Sequence, residues 1–269
     1  MPARQTYALC LAYDGRPYLG FQPQLALPTV GGVLHSALRR IGIDATPFGA
    51  SRTDARVQAW GQIASFQSRL DIDPITLTNE LNEALPSTVH VRTSVRALPS
   101  FHAHWSSTGK IYRYRLFSEQ NEQIDPSRLD FALRLLSTRT DLSAFSASRE
   151  RDKGKIRTIA FARLLENTPD SGLLIEFEGV GFGRYQIRNM IAAALAMGQG
   201  HIGPDALLSM AQGTRKHPFR AAAEGLCLWK VLYPDALNPF GFRTKPSQFE
   251  PAFLERFATK EECASGTWR

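Results

Sequence analysis

Cysteine is scarce in this chain, which argues against a disulfide-stabilised fold. The 269 residues include three cysteines, Cys10, Cys227 and Cys263, which are odd in number and widely spaced. A disulfide framework needs an even set of cysteines and belongs to oxidising compartments. We therefore expect a protein of the reducing cytoplasm.

Long apolar runs are also missing. The longest, from Met190 to Met197, is far shorter than the ~20 residues of a transmembrane helix. The N-terminus lacks the basic-then-apolar pattern of a signal peptide. With 43% hydrophobic side chains, the chain is instead long enough for two folded domains. The sequence predicts a soluble protein with no membrane partner.

Two common cofactor patterns are incomplete. The segment 179–184 resembles a glycine-rich dinucleotide loop, but its third glycine position is occupied by Arg184. His102 and His104 lie two residues apart, and no second pair with metal-ligand spacing accompanies them. The sequence therefore predicts neither a nucleotide cofactor nor a metal site.

Lysine is scarce as well, so arginine supplies most of the positive charge. Of the 32 basic residues, 25 are arginine and 7 are lysine, and the net charge is +7. The planar guanidinium suits bidentate phosphate contacts and stacking on bases, which is compatible with an RNA partner. Ordinary surface solubility explains a charge of this size equally well.

Basic residues concentrate in two segments. Residues 149–157 hold five cations opposed by two acidic residues, and residues 215–220 form a second basic segment. Phosphate binding is one interpretation of the first segment. Because its charges alternate with a period of two, a solvated strand edge is the other.

Hydrophobic periodicity predicts an alternation of strands and helices. The predicted strands cover residues 7–12, 63–66, 89–95, 110–117, 156–165, 173–178 and 226–232, and the predicted helices cover 30–41, 74–85, 126–137, 185–198 and 204–212. Asp14-Gly15 indicates a hairpin-type turn. The alternation in residues 173–178 is typical of a sheet with one wet face.

This order of elements predicts the fold class and the domains. We expect an α+β protein of two similar domains, each a mostly antiparallel sheet backed by helices. The first domain would cover residues 1–105, the second 106–235, and a C-terminal extension 236–269.

The segment 49–55, Gly-Ala-Ser-Arg-Thr-Asp-Ala, places a carboxylate next to an arginine between two apolar runs. A guanidinium within about 4 to 6 Å lowers the pKa of an aspartate by roughly 1 to 3 units, which keeps a nucleophilic carboxylate ionised. A polar turn with a surface ion pair is the alternative interpretation.

This heptad, with Gly61, Gln62 and Phe66 after it, resembles the signature of the tRNA pseudouridine synthase A family. Further blocks between residues 7 and 232 resemble the family's landmarks in the same order: Leu11-Ala12-Tyr13-Asp14-Gly15, Gly20-Phe21-Gln22, Asn82-Glu83-Ala84-Leu85-Pro86, Phe101-His102-Ala103, Lys110-Ile111-Tyr112-Arg113-Tyr114, Asp141-Leu142-Ser143-Ala144-Phe145, Gly181-Phe182-Gly183, Gln186-Ile187-Arg188-Asn189-Met190 and Glu224-Gly225-Leu226.

The resemblance implies an isomerase that converts uridine to pseudouridine in the tRNA anticodon arm, at positions 38 to 40 of the tRNA, without metal or cofactor. It implies two domains whose sheets meet at a central basic cleft, and a homodimer that grips one tRNA.

The resemblance also implies roles for individual residues. Asp54 would be the nucleophile and Arg52 would orient the flipped nucleotide. Tyr112 would stack on the uracil and handle a proton, and Arg188 would pair with the aspartate. The remaining expected substrate-binding residues are an apolar wall and a set of cations: Leu226, Arg184, Arg56, Arg149, Arg151, Lys153 and Lys155.

Two residues depart from the family pattern within the core motif, which usually reads Arg-Thr-Asp-Ala-Gly-Val-His-Ala. This chain has Arg56 in place of the glycine and Gln58 in place of the histidine. A glycine adopts positive φ readily, whereas an arginine does not. The departures favour one alternative, an active synthase with a different RNA site. A non-catalytic RNA-binding module that uses the same cleft is a further alternative.

Overall fold

The fold is described from a computed structural model, which covers residues 4–116, 123–137, 141–147, 159–168, 172–216 and 220–241. In these ranges there are eight strands, β1 Gln5–Tyr13, β2 Phe48–Gly49, β3 Gln58–Ser68, β4 Val89–Ala97, β5 Gly109–Leu116, β6 Ile159–Thr168, β7 Gly172–Gly179 and β8 Leu226–Leu232. The five α-helices of the same ranges are α1 Val30–Arg40, α2 Pro74–Ala84, α3 Pro126–Ser137, α4 Gln186–Gly198 and α5 Pro204–Gln212.

The chain forms two compact units. The first contains the described residues up to Thr108 and those from Cys227 onward, and the second runs from Gly109 to Leu226. The predicted α+β class with mostly antiparallel pairing is confirmed, since every strand pair within a unit is antiparallel except β3 with β8.

In the first unit, β1 lies between β3 and β4 and pairs antiparallel with both. Its residues from Thr6 to Tyr13 are all buried, as expected for a central strand covered on both faces. β2 pairs with the far end of β3, while Gln58 and Ala59 at the near end of β3 pair in parallel with β8.

Capping residues fix the starts of the two helices of this unit. The Thr29 hydroxyl accepts a hydrogen bond from the Gly32 amide at 3.2 Å, and α1 buries Leu34 and Leu38 among its residues. The Asp73 carboxylate accepts from the amides of residues 75 and 76, each at 3.0 Å, just before a proline in the first turn of α2. Both arrangements satisfy amides that a helix leaves without partners.

In the second unit, β7 pairs antiparallel with β5 on one side and β6 on the other. Glu176 of β7 is buried, and its carboxylate accepts from Arg113 of β5 at 2.9 Å and from Arg163 of β6 at 2.7 Å. The prediction of a wet face on residues 173–178 is therefore wrong for Glu176. Its charge is inside because arginines from both neighbouring strands neutralise it.

The predicted helices and strands are confirmed in the described ranges, with ends that differ by a few residues. The prediction of a hairpin-type turn at Asp14-Gly15 is wrong, because the chain continues through a loop into α1. The short strand β2 was not predicted. The expected division into two similar domains that meet at a basic cleft stays a prediction.

Candidate active site

The segment between β2 and β3 carries the candidate nucleophile Asp54 and lies in the first unit. Antiparallel pairing of β2 with Ser65 and Ala64 brings the start of this segment back alongside β3. Two backbone hydrogen bonds extend the attachment: the Ala50 amide donates to the Ile63 carbonyl of β3 at 2.7 Å, and the Phe21 amide, in the loop after β1, donates to the Thr53 carbonyl at 3.1 Å. The candidate site is thus built on the sheet.

A buried amide side chain holds the middle of the segment. Gln62 of β3 is fully buried, donates to the Ser51 carbonyl at 2.7 Å and accepts from the Ser51 amide at 3.2 Å. From β1, the buried Tyr13 hydroxyl lies 2.7 Å from the Thr53 hydroxyl. These bonds fix the backbone on the N-terminal side of Asp54 through side chains that have their own rigid strands.

Asp54 begins a tight turn. The Val57 amide donates to the Asp54 carbonyl at 3.2 Å, and Arg56 has φ 67°. Positive φ at the third position of a turn, and not at the second, is the pattern of a type II turn, which favours glycine there. The backbone therefore has the conformation that a glycine would adopt most easily, although the residue is an arginine.

The turn packs so closely against the loop that follows β1 that two positions of this loop have no room for a side chain. A Cβ atom on Gly15 would lie 1.9 Å from the Val57 carbonyl oxygen, and one on Gly20 would lie 2.7 Å from the Thr53 carbonyl oxygen. The Arg56 amide also donates to the Tyr18 carbonyl at 3.0 Å. Because the contact is between backbones, both positions require glycine.

Exposure differs sharply along the turn. Arg52 and Arg56 are exposed, Thr53 and Val57 are buried, and Asp54 is half-buried. An aspartate in this setting is accessible to a substrate while its backbone is held from both sides. Two exposed arginines, Arg52 and Arg56, flank it, and guanidinium groups suit a phosphate-bearing substrate. This arrangement can support nucleophilic or acid–base chemistry on an anionic substrate.

His104 supports the start of the same segment. Its Nδ1 atom lies 2.9 Å from the Ala50 carbonyl oxygen. His102, two residues earlier, packs its ring 5.4 Å from the ring of Phe48 in β2. In the described part of the chain, no group of three or more His, Cys, Asp and Glu side chains could hold a metal ion.

Tyr112, Arg188, Arg184 and Leu226 lie in the second unit. Tyr112, on β5, is buried, and its ring meets that of Phe182 edge to face at 5.6 Å. Leu226 is buried at the start of β8. Nearby on β5, burial raises the pKa of Tyr114 to about 12, and burial lowers the pKa of Lys110.

The start of α4 gathers arginines around one tyrosine. Tyr185 precedes the helix in a left-handed conformation, φ 61°. The guanidinium carbons of Arg220, Arg184 and Arg188 lie 3.6, 4.7 and 5.8 Å from the centre of its ring. Arg188 also donates from Nε to the Ala221 carbonyl at 2.7 Å.

The sequence-based site is only partly covered by the structure. Arg149, Arg151, Lys153 and Lys155 lie outside the described residues. Tyr13 and Gln62 belong to matched motifs, but the motifs alone did not indicate a role for either residue. Gln62 carried a usable signal, since a glutamine inside an apolar strand must find hydrogen-bond partners.

Comparison with known proteins gives the class of this protein. Residues 132–234 match the family model described as tRNA pseudouridine synthase. A tRNA pseudouridine synthase A of Exiguobacterium sibiricum is 31% identical over 84% of this chain and 96% of its own length. Those of Leuconostoc citreum and Latilactobacillus sakei are each 32% identical, over 87% and 85% of this chain and 98% and 99% of their own lengths.

These similarities identify a pseudouridine synthase, which is an isomerase. The chain belongs to the tRNA pseudouridine synthase A family. No helix in the described ranges is long and apolar enough to cross a membrane.

Proposed function

We propose that this enzyme isomerises uridine to pseudouridine in the anticodon arm of tRNA, at positions 38 to 40, with Asp54 as the nucleophile. The observation that carries the proposal is the support of the Asp54 turn. Gln62 and Tyr13 hold the preceding backbone, and two glycines allow close packing of the turn itself. Rigid placement of one half-buried carboxylate is what a nucleophile needs.

The reaction sets the chemical requirements. The bond from ribose C1′ to uracil N1 breaks, the base turns within the pocket and C5 bonds to C1′. The proton lost from C5 is balanced by a proton gained at N1, and the bond that the carboxylate forms during the reaction breaks again. No electrons are exchanged with a cofactor. The enzyme needs an ionised carboxylate near C1′ or C6, a group that handles the C5 proton, and a pocket for a base flipped out at a cost of a few kcal/mol.

Other residues take the remaining roles in this proposal. Arg52 is exposed next to Asp54 and orients the backbone of the flipped nucleotide. Tyr112 stacks on the uracil and handles the proton, Arg188 pairs with the aspartate, and Leu226 forms an apolar wall. Tyr112 and Leu226 are both buried, which suits an environment that excludes water.

The proposed partner is tRNA, gripped by a homodimer in the cytoplasm. Exposed Arg56 and Arg184 supply phosphate contacts in this proposal, as do the cations of residues 149–155. The net charge of +7 favours association with a polyanion.

An active synthase with a different RNA site is the second candidate. The positive φ of Arg56 favours it, since a large cation stands on the turn where glycine is usual in the family. An exposed arginine there adds a possible contact beside the nucleophile and can alter which uridine is accepted.

Incubation with unmodified total tRNA tests both candidates. Pseudouridine is mapped by carbodiimide-dependent reverse-transcription stops for the natural chain, Asp54→Asn, and the control Asp44→Asn, which changes an exposed aspartate of the same unit. We expect stops at positions 38 to 40 with the natural chain and the control, and none with Asp54→Asn. Stops only outside the anticodon arm support the second candidate. Full activity of Asp54→Asn contradicts the proposed nucleophile.

A further inference from the structure

Tyr185 and the two arginines Arg184 and Arg220 form an arginine–tyrosine cluster on the surface of the second unit. The Arg220 guanidinium carbon lies 3.6 Å from the centre of the tyrosine ring and that of Arg184 lies 4.7 Å from it. Arg184 also donates from Nη2 to the tyrosine hydroxyl at 2.9 Å. Both arginines are exposed. One aromatic ring thus holds two long, flexible cations in a fixed place.

Two guanidinium groups that contact the same tyrosine ring repel each other, and an anion beside them would relieve this repulsion. Among the described residues, neither Arg184 nor Arg220 has a carboxylate within ion-pair distance. By contrast, Arg113 and Arg163 of the same unit share Glu176, and Arg134 pairs with Asp130. The cluster therefore concentrates positive charge that a described carboxylate does not balance.

The hydrogen-bonding capacity of the cluster is largely unused by the described residues. A guanidinium has five N–H donors. Within the described ranges, Arg184 uses one on the tyrosine hydroxyl, and Arg220 makes one long bond of 3.4 Å to the Asn189 side chain. The remaining N–H groups suit an anion with several acceptor oxygens, and a phosphate group has that chemistry.

Backbone strain at Tyr185 supports a functional origin for this arrangement. Its φ of 61° is unfavourable for a residue with a Cβ atom. Strain of this kind persists where the surrounding structure enforces it, and it concentrates at functional sites. A glycine or asparagine would adopt this conformation at lower cost, but neither offers a ring for the arginines to stack on.

We propose that Arg184 and Arg220, aligned by Tyr185, bind one phosphate group of the RNA backbone together. The inference rests on the proposed function for its ligand, since tRNA supplies the phosphate. The site positions RNA on the second unit, and it takes no part in bond making or breaking.

The test measures the affinity of the full-length protein for an unmodified tRNA transcript over a series of salt concentrations. The variants are Arg184→Gln, Arg220→Gln and the double variant. Arg134→Gln is the matched control, because it removes the same charge from an exposed arginine on α3 of the same unit. Each loss of a phosphate contact reduces the slope of log affinity against log salt by about 0.7 to 0.9.

We expect the double variant to lose about 0.7 to 0.9 of the slope, the value of one phosphate contact, and each single variant to lose less, because the remaining arginine still contacts the shared phosphate. Between 50 and 200 mM salt, the affinity of the double variant then falls about threefold less than that of the natural chain. A double variant that loses about 1.4 to 1.8 of the slope, the value of two contacts, overturns the shared site. A double variant with the same slope as Arg134→Gln overturns the site altogether.

The variant Tyr185→Asn tests whether the tyrosine ring aligns the two arginines, because it removes the ring and leaves their charge unchanged. Asparagine tolerates the left-handed conformation, so the backbone is retained while the ring is lost. We expect Tyr185→Asn to lose as much slope as the double arginine variant although both arginines are still present, and an unchanged slope contradicts the aligning role of the ring. Pseudouridine mapping of the natural chain runs in parallel, so that failure of the reaction and failure of the phosphate site are read separately.

Discussion

Replacing Arg56 by glycine and by alanine tests the strain in the turn that carries the candidate nucleophile. Both replacements remove the arginine side chain beyond Cβ, so the difference between them isolates the backbone. At φ 67°, a residue with a Cβ atom costs about 1 to 2 kcal/mol. Glycine loses more chain entropy on folding, about 0.5 to 1 kcal/mol relative to alanine. Arg56→Gly is therefore expected to be more stable than Arg56→Ala by about 0.5 to 1 kcal/mol.

Arg52 provides the internal control. It is also an exposed arginine of the same segment, but it is not among the described residues with positive φ. At that position the strain is missing and only the entropy difference remains. Arg52→Gly is thus expected to be less stable than Arg52→Ala by about 0.5 to 1 kcal/mol. Glycine should therefore be more stable than alanine at position 56 and less stable than alanine at position 52, four residues earlier.

Thermal unfolding followed by circular dichroism measures all four variants under one condition. For a chain of this size, 1 kcal/mol corresponds to about 2 to 4 °C in Tm, so each pair should differ by roughly 2 °C. If Arg56→Gly melts at the same temperature as Arg56→Ala or below it, the turn is not strained at this residue, and the reasoning about the glycine of the family motif fails.

Three further predictions concern the same unit. Gln62→Met should lower the free energy of unfolding by about 2 to 3 kcal/mol, measured by denaturant titration, because it leaves the Ser51 amide and carbonyl without their partner. A loss below about 0.5 kcal/mol would contradict the role of Gln62 in holding Ser51. Burial, together with the charge of Arg92, lowers the pKa of His90 to about 4 from 6.5, so the folded state resists protonation and loses stability as pH falls from about 6.5 to 4. His90→Gln should lose less Tm than the natural chain across that interval, and parallel curves would refute the assignment. The double variant Arg56→Gly with Gln58→His should stay active on anticodon-arm uridines; if the two residues shift the substrate, the natural chain modifies a uridine outside that arm and the double variant loses that site, whereas identical modification maps would show that they do not set specificity.

Elements with strong periodicity were predictable from the sequence. The helix predicted at 74–85 from its apolar spacing is α2, Pro74–Ala84, in the structure, and the structure adds the Asp73 cap. The wet face expected at Glu176 was wrong, because alternation shows which residues share a face but not whether partners from other strands bury that face. The arginines that neutralise this carboxylate lie 63 and 13 residues away in the chain.

In the candidate site too, features that depend on neighbouring residues could be predicted, whereas contacts between residues far apart in the chain could not. The Asp54 segment could be singled out from its own residues, and the family motif marks residue 56 as a glycine position. In the structure Arg56 has positive φ there. The role of Tyr13 depends on a contact with a residue 40 positions away. The hairpin expected at Gly15 failed for a related reason: this glycine is required by packing against Val57, and no local pattern distinguishes that need from a turn.

The backbone-to-backbone packing of the Asp54 turn has a consequence for how this enzyme tolerates genetic change. The position of the turn depends on main-chain contacts at Gly15 and Gly20, which are insensitive to the side chains carried by Ala55 and Arg56. Substitutions at the exposed tip can therefore accumulate without moving the carboxylate, and a new contact to RNA can arise there while the chemistry is preserved. The two glycines carry no reactive group, yet they should be among the least replaceable residues of the chain. In a saturation mutagenesis screen for activity, Gly15 and Gly20 should tolerate fewer substitutions than Ala55 and Arg56.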